Sequence, residues 1–320
     1  MAKYIAKRLV LMLFVLFCIV TICFMLVRML PMTLPEGTLA QKELVKQRWE
    51  ALGYYKPLHI QYFIYLRNIF TEWDFGTSWK IQYFTPAFEV ISSRLLPTVL
   101  VNLYSLLFST PIGIALGIYA AIKKNKWQDH FISTLVIMFV SIPSYVYAFL
   151  VQFVFAYLLD WFPLTVYSLN DAGGSWFTAK MLESMVLPVL ALSFGEIAGL
   201  CRFTRAELTE TLTQDYMLLA RTKGLTRAQA TTRHALKNAM VPILPSIIGS
   251  FIGIMGGSMI IEQIFSIPGV GQVYLQSIQQ RDFDVFMVDT IFYTLIGLTA
   301  GIVVDISYGF IDPRIRMGEK

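Results

Sequence analysis

The sequence predicts an all-α, polytopic membrane helix bundle with six transmembrane helices. Three observations carry that reading. Of 320 residues, 56% are hydrophobic and 15% charged, with a mean hydropathy of +0.60. A soluble domain carries about a quarter charged residues. The apolar residues fall in long runs, at about 9–30, 98–121, 131–158, 185–204, 241–261 and 289–310. Each run can cross roughly 30 Å of hydrocarbon as a helix, and lipid offers no partner to the open backbone of other structures. Lys and Arg gather at the ends of these runs rather than on a soluble patch. They mark topology and speak against a nucleic-acid partner; membrane lipid is the expected surrounding.

The first run follows Lys3, Lys7 and Arg8, like a signal peptide. From Leu9 to about Leu30 it is too long for a signal core, and no small-x-small cleavage site follows. Residues 1–30 therefore read as a retained first helix. With six spans the two termini share one side. That side collects Lys123, Lys124 and Lys126, the cluster from Arg202 through Arg205, Arg221, Lys223, Arg227 and Arg233 to Lys237, and Arg314, Arg316 and Lys320. The two shorter loops opposite hold only Lys180 and Arg281. Both termini and the 205–240 loop should face the cytoplasm. Residues 98–311 then hold the other five helices, and 312–320 form a cytoplasmic tail. The third run is overlong and contains Pro143, so a kink or tilt is expected there.

The outer loop 31–97 is too long for a plain connector. Leu39–Leu52 and Pro57–Phe70 have helical apolar spacing, Pro57 suits a first-turn position, and another helix-like stretch covers Phe84–Leu96. A small external helical subdomain follows, with Trp49, Trp73 and Trp79 serving either as interfacial packing or as a docking surface. Inside the spans glycines recur four apart, at Gly113/Gly117, Gly195/Gly199, Gly249/Gly253/Gly257 and Gly297/Gly301. Such faces let helices approach closely in lipid.

One basic, soluble-looking stretch, Asp215–Pro242, sits between two apolar runs. Asp215 is a good N-cap for a short helix Tyr216–Lys223, and Gly224 supplies a left-handed stop. Thr226 and Gln229 form a capping box for a second helix, about Arg227–Asn238, which Pro242 closes. The product is a helix-glycine-helix elbow. Its first helix exposes Tyr216, Met217 and Leu218 or Leu219; its second carries Arg227, Arg233, His234 and Lys237. An apolar tip with a basic flank suits a socket on another protein, and a solvated connector is the plainer alternative.

The rest of the sequence narrows the chemistry. Cys18, Cys23 and Cys201 lie in or beside apolar runs without paired spacing, and His59, His130 and His234 are scattered. No metal site, disulfide framework or catalytic residue is expected. No GxxxxGK[ST] motif is present, so the chain should not bind ATP by a P-loop. Glu196 and Asp305 are the main intramembrane charges, candidates for the pathway or for structural pairing, with Arg314 and Arg316 as partners of Asp305. An ion-coupled carrier would need a longer chain of such groups, and a membrane protease a paired nucleophile and base.

The run A-R-T-K-G-L with R-H-A-L-K-N-A downstream resembles the cytoplasmic loop of ABC-importer permeases of the dipeptide/oligopeptide/nickel family. LGYYKPLHIQYFIYLRNIFTEWDFGTS resembles that family's segment after the first span, RLLPTVLVNL the start of its second, and IEQIFSIPGVGQVYLQSI with RDFDV the loop after its fifth. The order is kept along nearly the whole chain, and the long first outer loop matches the B-type subunit. Two departures stand out. Leu218, Leu219 and Ala220 replace the Glu-Ala-Ala that opens the broader importer motif, and Pro31-Met-Thr-Leu-Pro35 replaces a Pro-Gly-Asp-Pro turn.

The resemblance implies a type I ABC-importer permease fold and no enzyme activity in this chain. It implies a second homologous permease, two cytoplasmic ATP-binding subunits that carry ATP and magnesium, and an external substrate-binding protein that delivers peptide. The same machinery importing nickel, glutathione or another small solute is the alternative. The coupling loop would comprise Asp215, Tyr216, Met217, Leu218, Leu219, Ala220, Arg221, Lys223 and Gly224. The expected location is the bacterial inner membrane.

Overall fold

The computed structural model describes residues 2–31 and 33–311. Among them the chain is helical, with one isolated bridge between Thr77 and Pro86 and no named strand. Five helices are long and apolar enough to span: α1 (Ala2–Arg28), α4 (Ala87–Ile122), α7 (Ala179–Thr211), the helix that ends in α10 (Leu236–Gly253), and α13 (Phe283–Ile311). A sixth crossing requires that α5 (Trp127–Ser141) and α6 (Ser144–Val151) act together. Pro143 breaks that pair by 102°. It stands at the N-cap of α6, and Ile142 before it is extended, because a proline ring drives its predecessor out of the helical region. From Gln152 to Leu158 the backbone widens into π-helical turns.

The helices outrun the apolar segments. The expected separate stretch over Phe84–Leu96 is instead the first part of α4. Pro242 does not end a helix. Arg227–Gly256 is one near-continuous helical rod, made of α9 (Arg227–Ala230), π-turns at Thr231–Ala235, α10, and a last 3-10 turn, with Pro242 and Pro245 inside α10. Proline persists in membrane helices because the freed backbone groups find other partners there. The fifth span stops by Gly256; Met259–Ile264 is a separate short helix, α11.

The chain forms two compact units. The first holds, among the described residues, those up to 98, 256–259 and 268–298. It contains α1, α2 (Leu39–Ala51), α3 (Leu58–Glu72), α12 (Val270–Gln280) and the starts of α4 and α13. A Thr38–Gln41 capping box starts α2. Trp49 and Trp79 meet edge to face at 6.0 Å in a buried cluster with Val45, whereas Trp73 is exposed.

Two buried aspartates tie this unit together. Asp282 accepts bonds from the Ser78 hydroxyl at 2.7 Å and from the backbone N–H groups of Trp79, Lys80 and Ile81 at 2.9–3.1 Å. Asp284 pairs with Arg28 Nη2 at 2.9 Å and accepts from the Tyr54 hydroxyl and Trp79 Nε1. Burial, then the Asp284 charge, push the Tyr54 phenol well above its ordinary range, so it stays protonated and donates. Gly76 is required beside this knot: it has φ +98°, and a Cβ there would lie 2.7 Å from Asp284 Cγ.

The second unit holds, among the described residues, 99–255, 260–267 and 299–311. In it α7 packs against α5, α6 and α10. The expected close approach at Gly113 and Gly117 is between α4 and α7. Cβ atoms at those glycines would come 2.8 Å from Leu200 Cβ and 2.6 Å from Thr204 Cβ. A bare glycine face therefore sets that helix spacing.

Candidate functional site

The elbow grows out of the end of α7. After Thr211 a short turn leads into α8 (Asp215–Thr222). Gln214 rather than Asp215 is the N-cap, and it makes no side-chain cap bond. Asp215 sits one position inside, in the first turn, where its charge complements the helix dipole.

Gly224 fills its expected role. It has φ +89°, its N–H bonds to Arg221 O at 3.0 Å, and the Leu225 N–H reaches back to Ala220 O at 3.3 Å. This is the paired bonding that closes a helix through a left-handed residue. The Thr226–Gln229 capping box then starts α9 with both reciprocal bonds, at 3.3 and 3.0 Å.

The faces of α8 are sharply divided. Met217 and Ala220 are buried in a cluster with Ala121 of α4, Leu208 of α7, and Ala230, Ala235 and Ala239 of the fifth-span rod; Tyr216 and Leu225 pack at its edge. So Met217, expected at the exposed tip, is instead the staple that fixes α8 to its own chain. Small alanines on the receiving side let the short helix lie close. The outward apolar residues are Leu218 and Leu219, 66% and 55% exposed. Arg221 and Lys223 are exposed next to them, and Arg227, Arg233, His234 and Lys237 are exposed along the following helix. Every residue expected in the loop thus lies on one short helix and its stop, with the faces divided as above.

An ion pair absent from the sequence reading ties α7, ahead of the elbow, to α5. Arg205 of α7 grips buried Asp129 of α5 with two bonds, Nε to Oδ1 at 2.5 Å and Nη2 to Oδ2 at 2.8 Å. Asn125 N–H also donates to Asp129, at 2.9 Å. The sequence signal was available but weak: Asp129 lies in the first turn of a helix in a segment otherwise rich in Lys.

The intramembrane acids differ. Glu196 is exposed on α7, and Asp305 is half-buried in α13. Arg314 and Arg316, the expected partners of Asp305, lie outside the described residues. No group of three or more His, Cys, Asp or Glu among the described residues could hold a metal ion.

Comparison with known proteins places the chain in a family. Residues 113–317 match the model of the binding-protein-dependent transport system inner membrane component, and residues 1–91 match its N-terminal membrane component. The chain is 37% identical to the dipeptide transport system permease protein DppB of Lactococcus lactis subsp. cremoris (strain MG1363), covering 99% of this chain and 100% of the relative. It is 32% identical to the glutathione transport system permease protein GsiC of Escherichia coli (strain K12), and 31% to that of Salmonella paratyphi A (strain ATCC 9150 / SARB42), each covering 99% of both chains. The helical fold and these matches define a multi-pass permease of the bacterial inner membrane. The chain belongs to the binding-protein-dependent transport system inner membrane component family, as an ABC-importer permease of the dipeptide/oligopeptide type.

Proposed function

We propose that this chain forms one half of the translocation pathway of an ATP-driven importer of short peptides. A second homologous permease supplies the other half. Two cytoplasmic ATP-binding subunits carry ATP and magnesium, and an external binding protein brings the cargo. This chain itself binds no cofactor, and its elbow receives the motor subunits.

The observation that carries the reading is the two-faced α8. Met217 and Ala220 fix the helix to α4, α7 and the fifth-span rod, while Leu218 and Leu219 stand in the open beside Arg221 and Lys223. A push on the exposed leucines is thereby delivered to three membrane helices through a packed contact. Coupling between distant sites requires such a contact to be held in both end states. Short peptides are favoured as cargo because relatives named for a dipeptide and for glutathione, itself a small peptide, align over the whole chain.

The test begins with purification of the tagged chain from its host, with subunits identified by mass spectrometry. A second permease and ATP-binding subunits are expected. Uptake by the reconstituted complex is then measured with labelled dipeptide in competition with longer peptides, glutathione and nickel. Transport by the isolated chain without ATP-binding subunits overturns the reading. Competition by nickel alone overturns the peptide assignment while leaving the importer intact.

A further inference from the structure

We propose that α3 is an in-plane membrane helix, whose Phe63–Phe70 face is seated among lipid acyl chains where α1 ends at Arg28. The argument starts from depth. Thr21 Oγ1 and Tyr62 Oη share a hydrogen bond at 2.5 Å, and Phe24 packs on Tyr62 and Tyr65 with ring centroids 5.3 and 5.0 Å apart. At 1.5 Å per residue, Thr21 lies about 10 Å inside the Arg28 end of α1. An apolar spanning helix is in hydrocarbon at that point, so the part of α3 that reaches Thr21 is drawn to membrane depth. An aqueous loop would not reach there.

The faces of α3 agree. Tyr62, Leu66 and Ile69 pack in the apolar cluster with α1 and with Met287 of α13. Gln61, Tyr65 and Asn68 border the small cavity beside Arg28 and Asp284. The remaining side carries Phe63 and Phe70, 68% and 82% exposed, with Ile60 and, just past the helix end, Trp73. Two bare phenylalanines thus stand on a helix held against α1 at membrane depth, and Ile22, Leu26 and Met29 of α1 are exposed as well. That depth selects lipid as the occupant. Arg67, exposed between the two phenylalanines, stands 4.0 Å from the exposed Glu72 carboxylate at the helix end, and long charged side chains at such a place can lift their heads toward the headgroups. A tryptophan at the helix end suits the interface.

The test uses the full importer complex in lipid nanodiscs, with the three native cysteines replaced. Nitroxide labels are placed singly at Phe63→Cys and Phe70→Cys. Leu26→Cys on α1 serves as a lipid reference and Glu43→Cys on α2 as a water reference. Collision with oxygen is expected to exceed collision with a water-soluble nickel chelate at 63 and 70, as at 26, with the ratio several-fold above that at 43. A ratio like that at 43 places the face in water and overturns the proposal. Low collision with both reagents shows a protein covering the face and overturns it equally. If either label prevents assembly, the unsubstituted complex is photolabelled with a diazirine-tailed phospholipid. Carbene adducts should then map to 60–73, and their absence there, with α1 labelled, is decisive against it.

Discussion

At the scale of single residues, Arg205 constrains the second unit through one ion pair. Its partner Asp129 is buried, and the guanidinium takes both carboxylate oxygens. A buried charge stripped of its partner costs about 3–5 kcal/mol, far more than the intact pair contributes. Arg205 is itself about one-third exposed, so Arg205→Ala should fall near the lower end of that range, read as lost thermal stability of the purified complex. Adding Asp129→Asn should restore part of it; a double variant no better than the single one contradicts the account. Gly224 is constrained by backbone instead. A Cβ there meets nothing within 4 Å, yet φ is +89°. Gly224→Ala should cost about 1–2 kcal/mol from the left-handed conformation alone. Gly224→Val should cost more and uncouple ATP hydrolysis from uptake. Wild-type coupled ATPase and transport in Gly224→Val vesicles would remove the elbow from the mechanism. The glycine was legible because a helix stop is written in adjacent residues. Arg205 was not, because its partner lies 76 positions away, and its charge served equally well as a topology signal.

At the scale of elements, α8 separates holding from reaching. Met217→Ala removes a buried side chain from the alanine-lined cluster and should cost about 2 kcal/mol or more in stability. Leu218→Asp with Leu219→Asp changes side chains that stand mostly in the open. Stability should stay unchanged while ATP-binding subunits no longer co-purify. If the complex assembles normally with both aspartates, the exposed leucines are not the contact. The sequence made α8 and α9 legible through a stop glycine and a capping box, both local devices. It placed Met217 at the tip because periodicity finds an apolar face without saying which neighbour occupies it. Pro242 was misjudged for a related reason. A proline ends a helix in water, but here the rod runs through Pro242 and Pro245 and on into the bundle. Nor did any local signal announce that Phe84–Leu96 would fuse with the second span, since one helical period simply continues into the next.

At the scale of the whole molecule, the 102° break at Pro143 decides on which side the elbow stands. Count crossings from an N-terminus in the cytoplasm. If α5 and α6 together traverse the bilayer, α7 returns the chain to the cytoplasm and the elbow emerges there. If the bent pair turns back to the side it entered from, every later segment inverts. The elbow would then face outward, carrying Arg221, Lys223, Arg227, Arg233 and Lys237 across the membrane. The rule that Lys and Arg stay inside opposes that arrangement. Single cysteines at Thr222 and at Ser175, in a background without the native three, settle the parity. A membrane-impermeant thiol reagent added to intact cells should label Ser175→Cys and spare Thr222→Cys, and inside-out vesicles should reverse the pattern. Labelling of Thr222→Cys in intact cells would make the bent pair re-entrant, and no cytoplasmic motor could then reach α8.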